Sequence, residues 1–455
     1  MVASREEIDA LLDQALAHST APQTEALYLG QDAALTRFAN NQIHQNVREH
    51  DATLQVRVID DGRIGVASTN RLDDGGIRSV VERALAIAAR SAPNPAAAIM
   101  PEPDGGEHDP ELGYVAATAE AGADRRAEGA RAVIVAGEKA GLQTAGSFSS
   151  SVMTVAVGNT RGIRAQHRST KAALLTVMMD GFASGAASGY AHASSTDIGD
   201  IDAEALGVEA AGKGEAMRGA GELEAGEYEV ILEEYAVAGL MEYLSYIGFS
   251  GLAHEEGRSF MDLGQRVMGE NVSIWDDGAD PSGLPAAIDF EGVTKKRVDL
   301  IDKGIARAVV HDAATGARSG TGSTGHGLPA PNLIGPMAMN VFVAPGSTPR
   351  DELIAGVKRG VWVTRFHYIN PVHPKKAILT GMTKDGTFLI EDGRLTRPLL
   401  NFRFTQSVPE AFSDVRAASS TTRLFAGEFF GGYRVPALHL GSFNFTGVTA
   451  AEGGE

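Results

Sequence analysis

The sequence predicts a mixed α/β (α+β) protein built in two parts: a mixed N-terminal domain over residues 1–218 and a β-rich C-terminal domain over 219–455. Three observations lead there. In the first half, apolar residues recur with helical spacing in some segments and alternate with polar ones in others. The stretch Gly219-Ala-Gly-Glu-Leu-Glu-Ala-Gly-Glu227 is small, acidic and flexible, the composition of a boundary. After one apolar helix, the second half is mostly strand material separated by Gly-rich turns.

The elements follow in order. Ser4 with Glu6 and Glu7 behind it, then Ile8, Leu11, Leu12, Ala15 and Leu16 in helical rhythm, marks an amphipathic helix start. This opening lacks a basic segment followed by an apolar run, so it is not a secretory signal. Strands are expected at Ala26–Leu29, Ala34–Ala39, Gln42–Val47 and Thr53–Ile59, and Asp60-Asp-Gly-Arg63 turns the last of these into Ile64–Ser68. Leu72–Arg90 is helical, with Ile77, Val80, Val81, Leu85 and Ile87 toward a core, and Ser91-Ala-Pro-Asn-Pro95 ends it. Residues 94–113 form a loop rich in Pro, Gly and acid. Helix is expected over Val115–Lys139, strands around Gln143–Val157 and Ile163–Met179, and helix again over Asp202–Arg218. Beyond the boundary come a strand at Tyr228–Leu232 and an apolar helix at Glu234–Tyr246. Further on, Lys384-Asp-Gly-Thr-Phe-Leu-Ile-Glu-Asp-Gly-Arg394 gives a short strand bracketed by two Asp-Gly turns.

With 40 Lys+Arg against 58 Asp+Glu the net charge is −18, which argues against a nucleic-acid track and gives no support to an acidic membrane surface as partner. No stretch approaches the roughly 18 apolar residues of a membrane span, and a cytoplasmic location is the simplest expectation. There are no cysteines, which excludes disulfides, a Cys nucleophile, Cys-ligated zinc and iron–sulfur clusters.

Few motifs carry chemistry. His254-Glu255 follows the apolar helix, and a zincin would need a second His one helical turn on, with the Glu as general base. Positions 258 and 259 are Arg and Ser, so neither HExxH nor HExxxH is completed, and an ordinary polar turn is the simpler reading. Gly320-Thr-Gly-Ser-Thr-Gly325 matches GxGxxG by letter, yet His326-Gly-Leu-Pro-Ala-Pro331 cannot open the helix that a pyrophosphate site requires. Gly207–Lys213 resembles a P-loop, but Gly214 stands where Ser or Thr would hold magnesium. Gly248-Phe-Ser-Gly251 misses the nucleophile elbow because Leu252 follows. His367 and His373 flank a Pro-stiffened loop whose spacing is no standard ligand pattern. Asp60-Asp61 and Asp276-Asp277 precede Gly and are expected to form turns.

The order of segments says more. Phe38-Ala-Asn-Asn-Gln-Ile-His44 and Leu54-Gln-Val-Arg-Val-Ile-Asp-Asp-Gly-Arg-Ile-Gly-Val-Ala-Ser68, then Leu263-Gly-Gln-Arg-Val267, Asp289-Phe-Glu-Gly292, Leu300-Ile-Asp-Lys-Gly304 and Arg397-Pro-Leu-Leu-Asn-Phe-Arg-Phe404, resemble the TldD/TldE (PmbA-like) metallopeptidase family over nearly the whole chain. The resemblance implies a two-domain TldD/PmbA-like architecture. In that family the TldD-type subunit holds zinc with an HExxxH helix and a cysteine and acts on unfolded peptides inside a dimer cavity; the TldE-type subunit lacks these ligands. His254-Glu255 falls near the motif without its second His, and the cysteine is absent. The chain therefore resembles the TldE-type subunit: no metal ligand and no cofactor of its own, zinc in a TldD-type partner, and a heterodimer or, expressed alone, a homodimer. Gly316–Gly327 and His367–His373 have the composition to line a peptide path, with Gly322, His326, His367 and His373 as its expected contacts. The alternatives are a stand-alone metallopeptidase using His254 and Glu255 with His367 or His373, and a homodimeric peptide-binding scaffold.

Overall fold

The computed structural model describes residues 4–94, 99–181, 187–427 and 431–448. Pro95, expected to help end the second helix, lies outside them. Helix α1 (Arg5–His18) starts on a capping box in which the Ser4 hydroxyl accepts from Glu7 N and the Glu7 carboxylate accepts from Ser4 N. Strands β1 (Gln23–Ala39), β2 (Gln42–Asp60) and β3 (Arg63–Thr69) follow, then α2 (Asp74–Ala88), α3 (Ala116–Ala119) and α4 (Ala123–Lys139). Next come β4 (Gln143–Asn159), β5 (Arg164–Met179), β6 (Ser188–Ser195) and α5 (Ala203–Ala216), capped by Asp202.

These six strands make one antiparallel sheet in the order β3-β2-β1-β4-β5-β6. Its two faces have different partners. Ala26, Tyr28, Leu54, Val56 and Ala156 pack under α1 and α2, and Phe148, Leu174 and Met178 lie among buried residues of α4 and α5. Leu27, Val155 and Val157, on the opposite pleat, pack against Ile288 and Val293 of the second half. The four short strands expected before residue 60 are two long ones. Asp32 and His50-Asp51, polar enough to suggest turns, sit mid-strand as a partnered pair, Asp32↔His50. Strand β6 has no apolar alternation in the sequence and is held by its pairing with β5.

The second half opens with β7 (Gly226–Leu232), α6 (Glu234–Ile247) and α7 (Gly251–Glu255). Strands β8 (Ile274–Asp276), β9 (Val298–Asp302) and β10 (Ile305–Ala306), helix α8 (Ala313–Ser319) and β11 (Asn340–Val343) form one wing. Then come β12 (Arg359–His373), β13 (Ile378–Glu391), β14 (Arg394–Pro398), β15 (Phe402–Ser407), α9 (Val408–Ala411), β16 (Val415–Ala426) and β17 (Gly432–Val448). The path β17-β15-β13-β12-β7 closes on itself through a β17–β7 pairing, giving a small barrel. Phe366, Phe402, Phe404, Phe443 and Phe445 pack ring against ring in its core.

Two expectations are corrected here. Asp385-Gly386 is no turn but an irregularity inside β13, with φ of 57° and 137°; a side chain at Gly386 would lie 2.3 Å from the Thr364 hydroxyl. Only Asp392-Gly393 turns the chain, into β14. The segment from His367 to His373 belongs to β12, with bulges, and is not a loop.

Candidate functional site

The chemistry-bearing side chains gather where α7, α8 and the segment 289–327 meet the first sheet. Helix α7 starts beside Val310: Gly251 N donates to Val310 O at 2.8 Å, and Val310 N donates to Phe249 O at 2.9 Å. This sets His311 against α7 so closely that a methyl on residue 251 would lie 2.5 Å from its Nδ1. His254, Glu255, Asp312 and His326 all act electrostatically on His311, whose pKa is pushed below the usual histidine value, by burial first. The His311 Nδ1 is buried without a hydrogen-bond partner among the described residues.

Glu255, the candidate base, is engaged elsewhere. Arg318 of α8 donates to both its oxygens, Nε at 2.8 and 3.0 Å and Nη2 at 2.9 Å, and this holds the carboxylate below its ordinary pKa. Helix α7 ends at Glu255, so Arg258 is not carried onto a helical face with His254. Among the described residues no group of three or more His, Asp or Glu side chains is arranged to hold a metal ion. The residues at this place do not fit the family's zinc.

Behind this surface lies a buried polar scaffold. His326 is fully buried, its Nε2 paired with Asp276 Oδ1 at 2.8 Å and its Nδ1 with the Thr324 hydroxyl at 2.9 Å. Asp276 also accepts from Asn340 N at 2.7 Å and faces Lys295 Nζ at 3.7 Å. Despite burial, Lys295 and His326 hold it far below the carboxylate range. Asp276, expected in a turn, is thus a core anchor. His326, expected along the peptide path, instead braces the Gly-rich loop from within. Asp289 accepts from Glu291 N, Val293 N and Gly327 N, fixing the same end of that loop one residue beyond His326.

The remaining expected residues are dispersed. Gly322, at φ 77°, lines an open depression of about 300 Å³ with Lys296, Arg161 and Asp104. His367 and His373 lie on β12, His367 with its ring 4.2 Å from that of exposed Tyr368. Tyr243 of α6 ties this stretch down by donating to Ile369 O at 2.5 Å. Sequence reasoning missed His311, Arg318 and Lys295, and passed over Asp289 and Glu291 as chemistry. The Asp-Phe-Glu-Gly segment was the one available signal for the last two.

The whole is a two-domain fold carrying a metallopeptidase-like architecture. It matches the crystal structure of TldE from Thermococcus kodakarensis with a TM-score of 0.86, covering 97% of this chain and 100% of that one at 20% identity. The profile of the PmbA/TldA metallopeptidase C-terminal domain matches residues 225–447, and that of PmbA/TldA metallopeptidase domain 1 matches residues 28–88. The chain belongs to the TldD/TldE (PmbA-like) metallopeptidase family. A metalloprotease of Methanocaldococcus jannaschii is 27% identical over 207 residues, 44% of this chain and 45% of that protein. A metalloprotease PmbA homolog of Haemophilus influenzae is 23% identical over 324 residues, 67% and 72% of the two chains. The match thus spans less than half the length of the first of these relatives. No helix among the described residues is long and apolar enough to cross a membrane.

Proposed function

We propose that this chain is the zinc-free, TldE-type subunit of a heterodimeric metallopeptidase, walling a chamber and holding an extended peptide while a TldD-type partner supplies zinc and the catalytic carboxylate. One observation carries the reading: the Glu255 carboxylate is held by Arg318 through both oxygens on a helix that stops there. A general base must be free to take a proton from metal-bound water, and a carboxylate locked to a guanidinium is not. The same observation weighs against the stand-alone peptidase. The outer edge of β2 from Gln42 to Thr53 has no strand partner among the described residues, since β3 joins only at Leu54. Such an edge accepts a peptide through main-chain hydrogen bonds whatever its sequence. The test is reconstitution: the chain with a TldD-type partner should cleave an unfolded peptide, and the chain alone should not. Turnover by the chain alone, abolished in Glu255→Gln, would overturn the reading.

A further inference from the structure

A second cavity, of about 330 Å³, opens at the seam between the two sheets, where β6 faces β16, β17 and the loop at 281–283. Its wall is polar, and it includes Arg434, a half-buried guanidinium. Arg434 donates from Nε to Ser282 O at 2.6 Å and from Nη1 to the Thr422 hydroxyl at 3.2 Å. No carboxylate pairs with it among the described residues, although the chain carries a net charge of −18. Asp280 favours its charge without forming an ion pair with it, and burial outweighs that support, pulling the guanidinium below its usual pKa. Withdrawing a guanidinium from water without a counter-charge is costly unless something else supplies one.

The other charged groups on the wall supply Arg434 with no ion-pair partner. Arg423 lines the cavity too, its charge taken by Glu209 and its Nη1 also donating to Tyr235. His192 is held neutral, pushed down to about 4 by its enclosure and then by Arg423, Lys171 and Arg365. The one acid on the wall, Asp200, is exposed and accepts from Ser195. Thr196 and Ser282 line the space, and their hydroxyls make no hydrogen bond among the described residues.

A Ser–His pair is present, Ser194 Oγ lying 3.0 Å from His192 Nε2, and a nucleophile is the obvious alternative. The electrostatics oppose it. A general base must accept a proton, and an imidazole ringed by cations with no carboxylate behind it resists doing so. Ser194 is also fixed by Ala426 N, which donates to its oxygen at 3.1 Å. The pair is wall rather than catalyst.

We propose that this cavity binds an oxyanion, a carboxylate or phosphate group, on the guanidinium of Arg434 with hydroxyls of Thr196 and Ser282 beside it. A guanidinium fork suits planar or tetrahedral oxyanions, and the bound anion bridges the first sheet to the second. The inference stands apart from the subunit role.

Calorimetric titration of the full chain with inorganic phosphate and with succinate tests it. One saturable site is expected for at least one of them, weakened about tenfold or more by Arg434→Gln, in line with the loss of a charged hydrogen bond, and partly restored by Arg434→Lys. An acetylated tripeptide as free acid, set against its amide, separates a peptide terminus from a small free anion. Should Arg434→Gln fail to fold by circular dichroism, Thr196→Val takes its place, with a several-fold loss expected. Absence of saturable binding by phosphate, succinate and peptide acid, or binding that the folded variants leave unchanged, overturns the proposal.

Discussion

Arg57 of β2 and Glu291 meet at 3.1 Å across the seam between the two sheets, although 234 residues separate them in the chain. Arg57 also donates to Glu25 at 2.7 Å, so one largely covered cation serves two buried acids. Glu291 further accepts from Ala313 N, the first residue of α8, at 2.8 Å. This carboxyl therefore joins β2 to the helix whose Arg318 holds Glu255. One guanidinium cannot offset Glu25, Glu291, Asp289 and Asp312 together. Burial first, then those neighbouring acids, push Glu291 up to about 8; burial likewise raises Asp289 to about 6.

The first prediction is a pH dependence of stability. Both carboxyls bind protons more tightly folded than unfolded, so between about 4 and 8 the native state holds more protons. Their contribution is complete below the unfolded values and is lost as pH rises through the folded ones. His192 and His311, whose pKa values burial lowers, act the other way over the same range. The readout is therefore the wild-type urea midpoint relative to that of Glu291→Gln, a difference that should fall from pH 5 to pH 8. Glu291→Gln, whose single amide oxygen keeps only one of the two acceptor roles toward Ala313 N and Arg57, removes the titrating group and with it the source of that fall. Parallel profiles for wild type and variant would remove Glu291 as its source.

A second prediction concerns Gly251. An added methyl would meet His311 Nδ1 at 2.5 Å and Val310 O at 2.8 Å, and the backbone oxygen cannot yield without breaking the α7 anchor. Gly251→Ala should cost about 1–3 kcal/mol by chemical denaturation, the usual range for overpacking. A change below about 0.5 kcal/mol would mean that His311 simply swings aside.

What was legible in the sequence follows from where the signal lies. Helix α2 showed its core face in Ile77, Val80 and Val81, which are buried, while Ile87, expected on the same face, is exposed. Strand β2 did not declare its length, because its first half, Gln42 to Asp51, lies beyond the core and carries solvent-facing residues, and β1 did not because the polar pair Gln31-Asp32 interrupts its apolar alternation. Strand β6 is Ser, Gly, Ala and His, with Tyr190 its only large apolar residue, so nothing but its neighbour marks it as a strand. The site was less legible still. Asp276 and His326 are 50 residues apart, and Glu255 and Arg318 are 63 apart; neither pair leaves a local pattern. Burial decided their roles, and burial is a property of the assembled chain.

The third prediction is compositional. Without a second helical His, without a thiolate, and with Glu255 held by Arg318, the purified chain should retain no stoichiometric zinc after dialysis. Arg318→Ala should release Glu255 at a stability cost below about 1 kcal/mol, as expected for a largely exposed pair, and should still confer no zinc. One zinc per chain that disappears in His254→Ala would favour the stand-alone peptidase.

Assembly gives the fourth. A half-chamber is stable only if its open side is covered, and obligate interfaces bury above about 2,000 Å² in total. Light scattering should show a dimer, more stable with a TldD-type partner than with a second copy. A monomer in the presence of that partner would sink the subunit reading.

The last prediction separates the two candidate peptide-lining segments. Gly322 has open space where a side chain would project, so Gly322→Val meets no clash; its cost is the left-handed backbone at φ 77°, which a β-branched residue tolerates poorly. Gly322→Asn fills the same depression with far less backbone strain, because Asn visits that conformation readily. On β12, His367→Ala removes a ring packed at a tilt against exposed Tyr368 and leaves the Tyr243–Ile369 tie intact. If both segments touch the peptide, Gly322→Asn and His367→Ala should each lower turnover by the reconstituted complex severalfold, with melting temperature and dimerisation unchanged. If Gly322→Val alone is impaired while Gly322→Asn turns over normally, the loss reflects loop strain and the depression is not part of the path. Wild-type turnover in His367→Ala, in a complex shown to be assembled, would confine His367 to the barrel surface.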